Sequence, residues 1–183
     1  LSAFDLSKET QQARESYGED RFGQGVLLAR RLVERQVRFV EVQLGGWDTH
    51  QNNFSRVPEQ SAILDQALSA LLADLEQRGM LEETLVVLAT EFGRTPNINV
   101  NDGRDHYPKA FSCMLAGGGI KGGQIWGKTD KEGREVIDQK VEIPDLNATI
   151  AFTLGLPLDE IVYSPTRRPF TLSDKGQPIT QLI

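Results

Sequence analysis

VRFVEVQLGGWDTHQNN, residues 37–53, is the stretch on which the reading of the chain turns. Val37, Phe39, Val40, Val42 and Leu44 are apolar and enriched in β-branched and aromatic types, which predicts a strand buried largely on both faces. Gly45 and Gly46 end it and let the backbone turn sharply. The loop beyond carries Asp48, Thr49 and His50. Only two histidines occur in the 183 residues, and each has an aspartate just before it: Asp48 before His50, and Asp105 before His106 in GRDHYP.

Outward from that stretch the pattern is of alternating helices and strands. Residues 1–19 read as a polar helix. Residues 20–36 read as an amphipathic helix, with Phe22, Val26, Leu27, Leu32 and Val33 inward and Arg30, Arg31, Glu34 and Arg35 toward solvent. After the loop, residues 58–79 form the clearest helix, opened by Pro58, closed by Gly79 and striped by Ile63, Leu64, Ala67, Leu68, Leu71, Leu72 and Leu75. TLVVLATEF, residues 84–92, reads as a second strand. Strand, helix and strand at this spacing predict a βαβ unit with parallel strands and a right-handed crossover. The GGWDTH and TEFGRTP loops would then both leave the carboxyl ends of parallel strands, where open α/β sheets place ligands.

Residues 93–109 are a long polar connection rich in Asn, Asp, Gly and Pro, a type often functional. A third strand, AFSCMLAG, runs into Gly117, Gly118 and Gly119; no GK[ST] follows, so a tight turn is expected rather than a phosphate loop. Short strands or a hairpin fit residues 120–143, a short helix fits about 145–154, and the proline-containing tail should be extended and packed on the body.

Composition narrows the function. A net charge of −6 gives no footprint for nucleic acid or an anionic membrane and suits a bound cation. No apolar run approaches the roughly 20 residues of a membrane-spanning helix. The single cysteine, Cys113, excludes an internal disulfide and a cysteine-rich zinc site. Asp48, His50, Glu91, Asp105 and His106 are expected on one edge of the sheet. Asp48 and His50, two apart, face the same side of an extended segment and suit chelation of one ion. Carboxylate with imidazole favours zinc, manganese or iron over calcium. Arg94, Arg104 and Lys109 flank these loops, either to hold an anionic ester or to neutralise Glu91 and Asp105.

GGWDTHQNN, LVVLATEFGRTPNIN and GRDHYPKAFSCMLAGGGIKGG together resemble the family called domain of unknown function 1501, which is grouped with alkaline-phosphatase-like and sulfatase-like proteins. The resemblance covers most of the chain. It implies an α/β fold with a mainly parallel central sheet flanked by helices, exported to the periplasm or outside the cell, with metal-dependent hydrolase ancestry. Asp48 and His50 then resemble one metal site, completed by His106. Glu91 stands where relatives have an aspartate followed by histidine, and Phe92 in place of that histidine weakens a second metal. The nucleophile belongs to an N-terminal strand and loop with no counterpart in residues 1–36, so the chain reads as the C-terminal part of a longer protein, a partial domain spanning 1–183.

The expectation is therefore a metal-dependent hydrolase of phosphate or sulfate esters acting on a small-molecule or carbohydrate substrate. Zinc or manganese would be held by Asp48, His50, Glu91 and His106, and the ester by Arg94 and Arg104. The alternative is a non-catalytic exported binding domain that keeps the fold with a degenerate metal site.

Overall fold

The protein is described here by a computed structural model covering residues 2–183. The chain gathers into two compact units, Leu1–Met80 with Arg94–His106, and Leu81–Gly93 with Tyr107–Ile183.

The first unit is helical. Helix α1 (Gln11–Tyr17) is capped by Thr10, whose side chain accepts from the Ala13 amide, and α2 (Arg21–Val33) by Asp20, which accepts from the amides of Phe22 and Gly23. A Cβ on Gly23 would lie 2.1 Å from the Tyr17 carbonyl oxygen, so only glycine lets α2 start this close to the end of α1. Helix α3 (Asn53–Gln77) begins earlier than its sequence pattern predicts, and Pro58 lies inside it. Its start is set by tertiary bonds: the Asn53 amide donates to the Asp102 carbonyl at 2.8 Å and the Asn52 amide to that of Asn101 at 3.3 Å. Tyr17, Val26, Leu27 and Ala67 form the buried core, with Phe22, Val42, Ala70 and Leu71 packed around it. Burial of a Val or Leu side chain such as Val26 or Leu27 contributes about 1.5–3 kcal/mol.

Two features of this unit depart from the sequence reading. Arg30 and Arg31, expected toward solvent, are buried. Arg30 pairs with Glu9 at 2.7 Å, Glu34 at 2.8 Å and Asp74 at 3.0 Å, while Arg31 pairs with Glu9 and donates to the carbonyls of Ser2 and Ala3. These carboxylates make that burial tolerable; helical periodicity reveals Glu34, one turn on from Arg30, but not Glu9 or Asp74. Residues 37–44, expected to be a strand buried largely on both faces, are instead extended chain without strand pairing: Val40, Val42 and Leu44 are half-buried and alternate with exposed Phe39, Glu41 and Gln43, and Val37 is exposed as well.

All strands are short: β1 (Val86–Leu88), β2 (Gly93–Arg94), β3 (His106–Tyr107), β4 (Met114–Ala116), β5 (Lys128–Thr129), β6 (Val136–Asp138), β7 (Ile161–Tyr163) and β8 (Pro169–Thr171). They form two-stranded sheets, β1 with β4, β2 with β3, β5 with β6 and β7 with β8. The β1–β4 pair is antiparallel, Val86 opposite Ala116 and Leu88 opposite Met114. These sheets overturn the mainly parallel central sheet, the alkaline-phosphatase-like α/β architecture and the βαβ crossover. Alternation and β-propensity are local, whereas the choice of pairing partner is made by backbone groups far apart in sequence, and β1 takes β4 in the opposite direction.

In the second unit, helix α4 (Ile143–Thr153) is opened by a capping box between Glu142 and Asp145. Asp145 also accepts from the Gln177 amide at 2.8 Å, and the Thr149 hydroxyl from the Ile179 amide at 3.0 Å. The tail is thus packed on α4, but its earlier part folds into the β7–β8 hairpin rather than staying extended. Among the described residues no helix is long and apolar enough to cross a membrane.

Candidate metal centre

Two segments of the first unit build the site: residues 47–53, which run into α3, and the loop 94–106. Thr49 is the inward anchor of the first, fully buried, its hydroxyl donating to the Asn53 side chain at 2.7 Å. With Thr49 turned in, its neighbours Asp48 and His50 face out together. The second segment is closed by the Thr95 amide donating to the Asp105 carbonyl at 2.9 Å, and is fastened to the first by the Arg104 amide donating to the Thr49 carbonyl at 2.9 Å.

Asn99 makes the tightest connection. Its amide nitrogen donates to the His50 carbonyl at 2.9 Å and to the Asp105 carboxylate at 3.0 Å, and its side-chain oxygen accepts from the amides of Asn101 and Gly103. The sequence reading passed over this residue. Its signal was the Asn-rich turn NINVNDG, because an Asn side chain accepting from an amide two residues on is a common turn device. Gly103 is the other missed residue: a Cβ there would lie 1.9 Å from the His50 carbonyl oxygen. Gly103→Ala is expected to push the two segments apart, costing about 1–3 kcal/mol as an overpacked contact. Urea unfolding reads that cost, and a variant as stable as the wild type would show the close approach to be dispensable.

On this frame Asp48, His50 and His106 converge. His50 Nε2 lies 3.1 Å from His106 Nε2 and 3.1 Å from Asp48 Oδ1, and His106 Nε2 lies 3.0 Å from the same oxygen. The rings are 4.7 Å apart and tilted by 44°. All three side chains are about half exposed, so the cluster is open to ligands. Behind it, His50 Nδ1 is 2.8 Å from Asp105 Oδ1.

The electrostatics follow these contacts. The bond to His106, then that to Arg94, pulls the Asp48 carboxyl down to about 2. Asp105 is likewise held below the usual carboxylate range, by His50 first and Asn99 second. Arg94 Nη1 reaches Asp48 Oδ1 at 2.7 Å. Arg104 Nη1 is spent on the carbonyls of Thr95 and Pro96, each at 2.6 Å, bracing the loop. Lys109 pairs with Glu135 at 3.6 Å. Glu91 is exposed, belongs to the second unit and is not part of the Asp48, His50 and His106 group.

Comparison with curated proteins and with solved structures returned no match. A family model does match over residues 1–183, and the chain belongs to that family, described as a protein of unknown function (DUF1501).

Proposed function

We propose that Asp48, His50 and His106 hold one divalent metal ion and that the site performs metal-assisted hydrolysis of an anionic ester, of the phosphate or sulfate class. One observation carries the reading: three acceptor atoms lie 3.0–3.1 Å from one another while the second nitrogen of His50 is committed to Asp105. In the tautomer with its proton on Nδ1, His50 donates to Asp105 and turns the Nε2 lone pair to the cluster. That lone pair faces a carboxylate oxygen, another acceptor, and a shared cation satisfies both. A carboxylate behind a ligating histidine is the usual arrangement for orienting the ring and raising its basicity.

The donor set fits the proposed ions. For bonds of about 2.1 Å, neighbouring donors lie about 3.0 Å apart around a six-coordinate ion and about 3.4 Å apart around a tetrahedral one. The observed separations fall nearer the first, which suits manganese and leaves zinc admissible. A divalent ion there would polarise an ester oxygen and lower the pKa of a water. Arg94, beside the same carboxylate, would orient the anionic group. Thr49, the hydroxyl between the two first ligands, is buried and bonded to Asn53, which removes it as the nucleophile. A carbohydrate or other small-molecule ester remains the proposed substrate, and export, implied by the resemblance, the proposed destination.

Metal analysis of the purified protein, with turnover of 4-nitrophenyl phosphate and 4-nitrophenyl sulfate, tests this. Stoichiometric manganese or zinc with metal-dependent turnover is expected. A protein that takes up neither ion sinks the reading. One that holds metal but cleaves no ester selects a binding domain instead, a reading favoured by Phe92, which stands after Glu91 where relatives have a histidine. Asp105→Asn is expected to weaken metal binding roughly 10- to 100-fold, as losses of such supporting partners do. Its urea midpoint should barely move, because the side chain is 54% exposed. Titration calorimetry measures the first and an unchanged affinity contradicts the orienting role.

A further inference from the structure

The contact that the metal reading leaves unexplained is the one between Arg94 and Asp48. Asp48 Oδ1 takes three close contacts: Arg94 Nη1 at 2.7 Å, His106 Nε2 at 3.0 Å and His50 Nε2 at 3.1 Å. The guanidinium is the nearest of these, and its side chain is 20% exposed where that of Asp48 is 64% exposed. A carboxylate oxygen has two lone-pair directions. An ion that binds between the two imidazoles through this oxygen is opposed by a guanidinium on the same atom, which occupies a lone pair and repels a like charge.

We propose that Arg94 is a resident counter-ion of the centre: it neutralises Asp48 when no metal is bound, and metal binding displaces it, freeing its guanidinium to take the anionic group of the ligand. This rests on the metal reading above and adds an order of events to it. Metal and anion become positively coupled because the same side chain cannot serve Asp48 and a bound oxyanion at full strength. Reciprocity then requires the anion to raise the affinity for metal by the factor by which metal raises the affinity for the anion. The anchorage of Arg94 permits the exchange. It lies in β2, next to Thr95, whose amide is tied to the Asp105 carbonyl, so its backbone is held at the site and an exchange asks only for a change of the side chain's acceptor.

Competition by an exposed carboxylate–guanidinium pair should be modest, roughly two- to fivefold. Two measurements on the full chain at low ionic strength and neutral pH decide the matter. The first is Mn2+ affinity by titration calorimetry for the wild type, Arg94→Ala and Arg94→Gln, with His50→Ala as the control for the site itself. Both Arg94 variants are expected to bind Mn2+ about two- to fivefold more tightly. The second uses no metal: inorganic phosphate is titrated into the wild type, Asp48→Asn, Arg94→Gln and the double variant. Releasing Arg94 by Asp48→Asn should tighten phosphate several-fold, and Arg94→Gln should cancel that gain in the double variant. Simple removal of a negative charge would instead give the same gain with or without Arg94, so an additive cycle overturns the proposal. Unchanged or weaker Mn2+ binding in both Arg94 variants overturns it as well. A wild type that binds neither Mn2+ nor, titrated in its place, Zn2+, and is indistinguishable from His50→Ala removes the metal reading and the exchange together. His50-dependent Mn2+ binding with an additive phosphate cycle removes the exchange alone.

Discussion

His50→Ala and His106→Ala are each expected to abolish stoichiometric manganese or zinc binding while leaving the protein folded. Each ring supplies one of three donor atoms, and Nε2 of His50 is 3.1 Å from both other donors. Losing a direct ligand must cost more than the roughly 10- to 100-fold lost with an orienting partner such as Asp105. Both side chains are about half exposed, so their removal from the surface should change stability by no more than about 0.5 kcal/mol. Metal analysis after dialysis, with calorimetric titration and a urea curve for each variant, separates the two effects. A variant that keeps wild-type affinity shows its histidine not to be a ligand. One that unfolds assigns the cluster to stability instead.

Arg30→Ala should give the largest loss of stability in the chain, about 3–5 kcal/mol, because it leaves buried carboxylates without their shared partner. The guanidinium is 1% exposed and pairs with Glu9, Glu34 and Asp74, which are only 13%, 26% and 19% exposed. Arg31 still reaches Glu9, and Arg78 reaches Glu34 and Asp74 at 2.7 Å and 2.5 Å, so the lower end of that range is the better expectation. The urea midpoint should fall without a change in slope. The network also sets a pH dependence. Burial raises the Glu9 carboxyl, but the bonds from Arg30 and Arg31 outweigh it and hold it below its ordinary 4.5. With the folded value depressed, the stabilisation from Glu9 is complete above about pH 4.5 and disappears as the pH falls through the folded value. Arg30→Ala should therefore lose stability less steeply in acid than the wild type does; an identical acid limb would place the effect elsewhere.

The structure separates what is local from what is not. Helix α2 lies where apolar spacing puts it, between the Asp20 cap and the end of its stripe, and α4 is within two residues of its expected start. The start of α3 was misjudged because Pro58 suggested a first turn, whereas the helix is nucleated by carbonyls of the loop 99–105. Residues 37–44 illustrate the limit. Their alternation is real, but alternation specifies which side chains face inward, not which backbone pairs with them. The two arginines of α2 make the same point for charge: their partners on Glu9 and Asp74 lie 21 and 44 residues away from Arg30 in the chain.

Sequence alone determined the chemistry available to this protein. Two histidines, each preceded closely by an aspartate, and a single cysteine rule out a cysteine-rich metal site, and the spacing of Asp48 and His50 suits both facing one side of an extended segment. His106, which the resemblance set beside them, lies 3.0 Å from Asp48; tertiary structure alone decided that Asp105 stands behind His50 and that Arg94 sits on Asp48, while Glu91 falls in the other unit. The sheet that was to bring these loops together is not the device that does so. Four hydrogen bonds between the segments do it instead, from Asn99 to the His50 carbonyl, Arg104 to Thr49, Asn52 to Asn101 and Asn53 to Asp102, with the close approach at Gly103, and no periodicity in the sequence carries them.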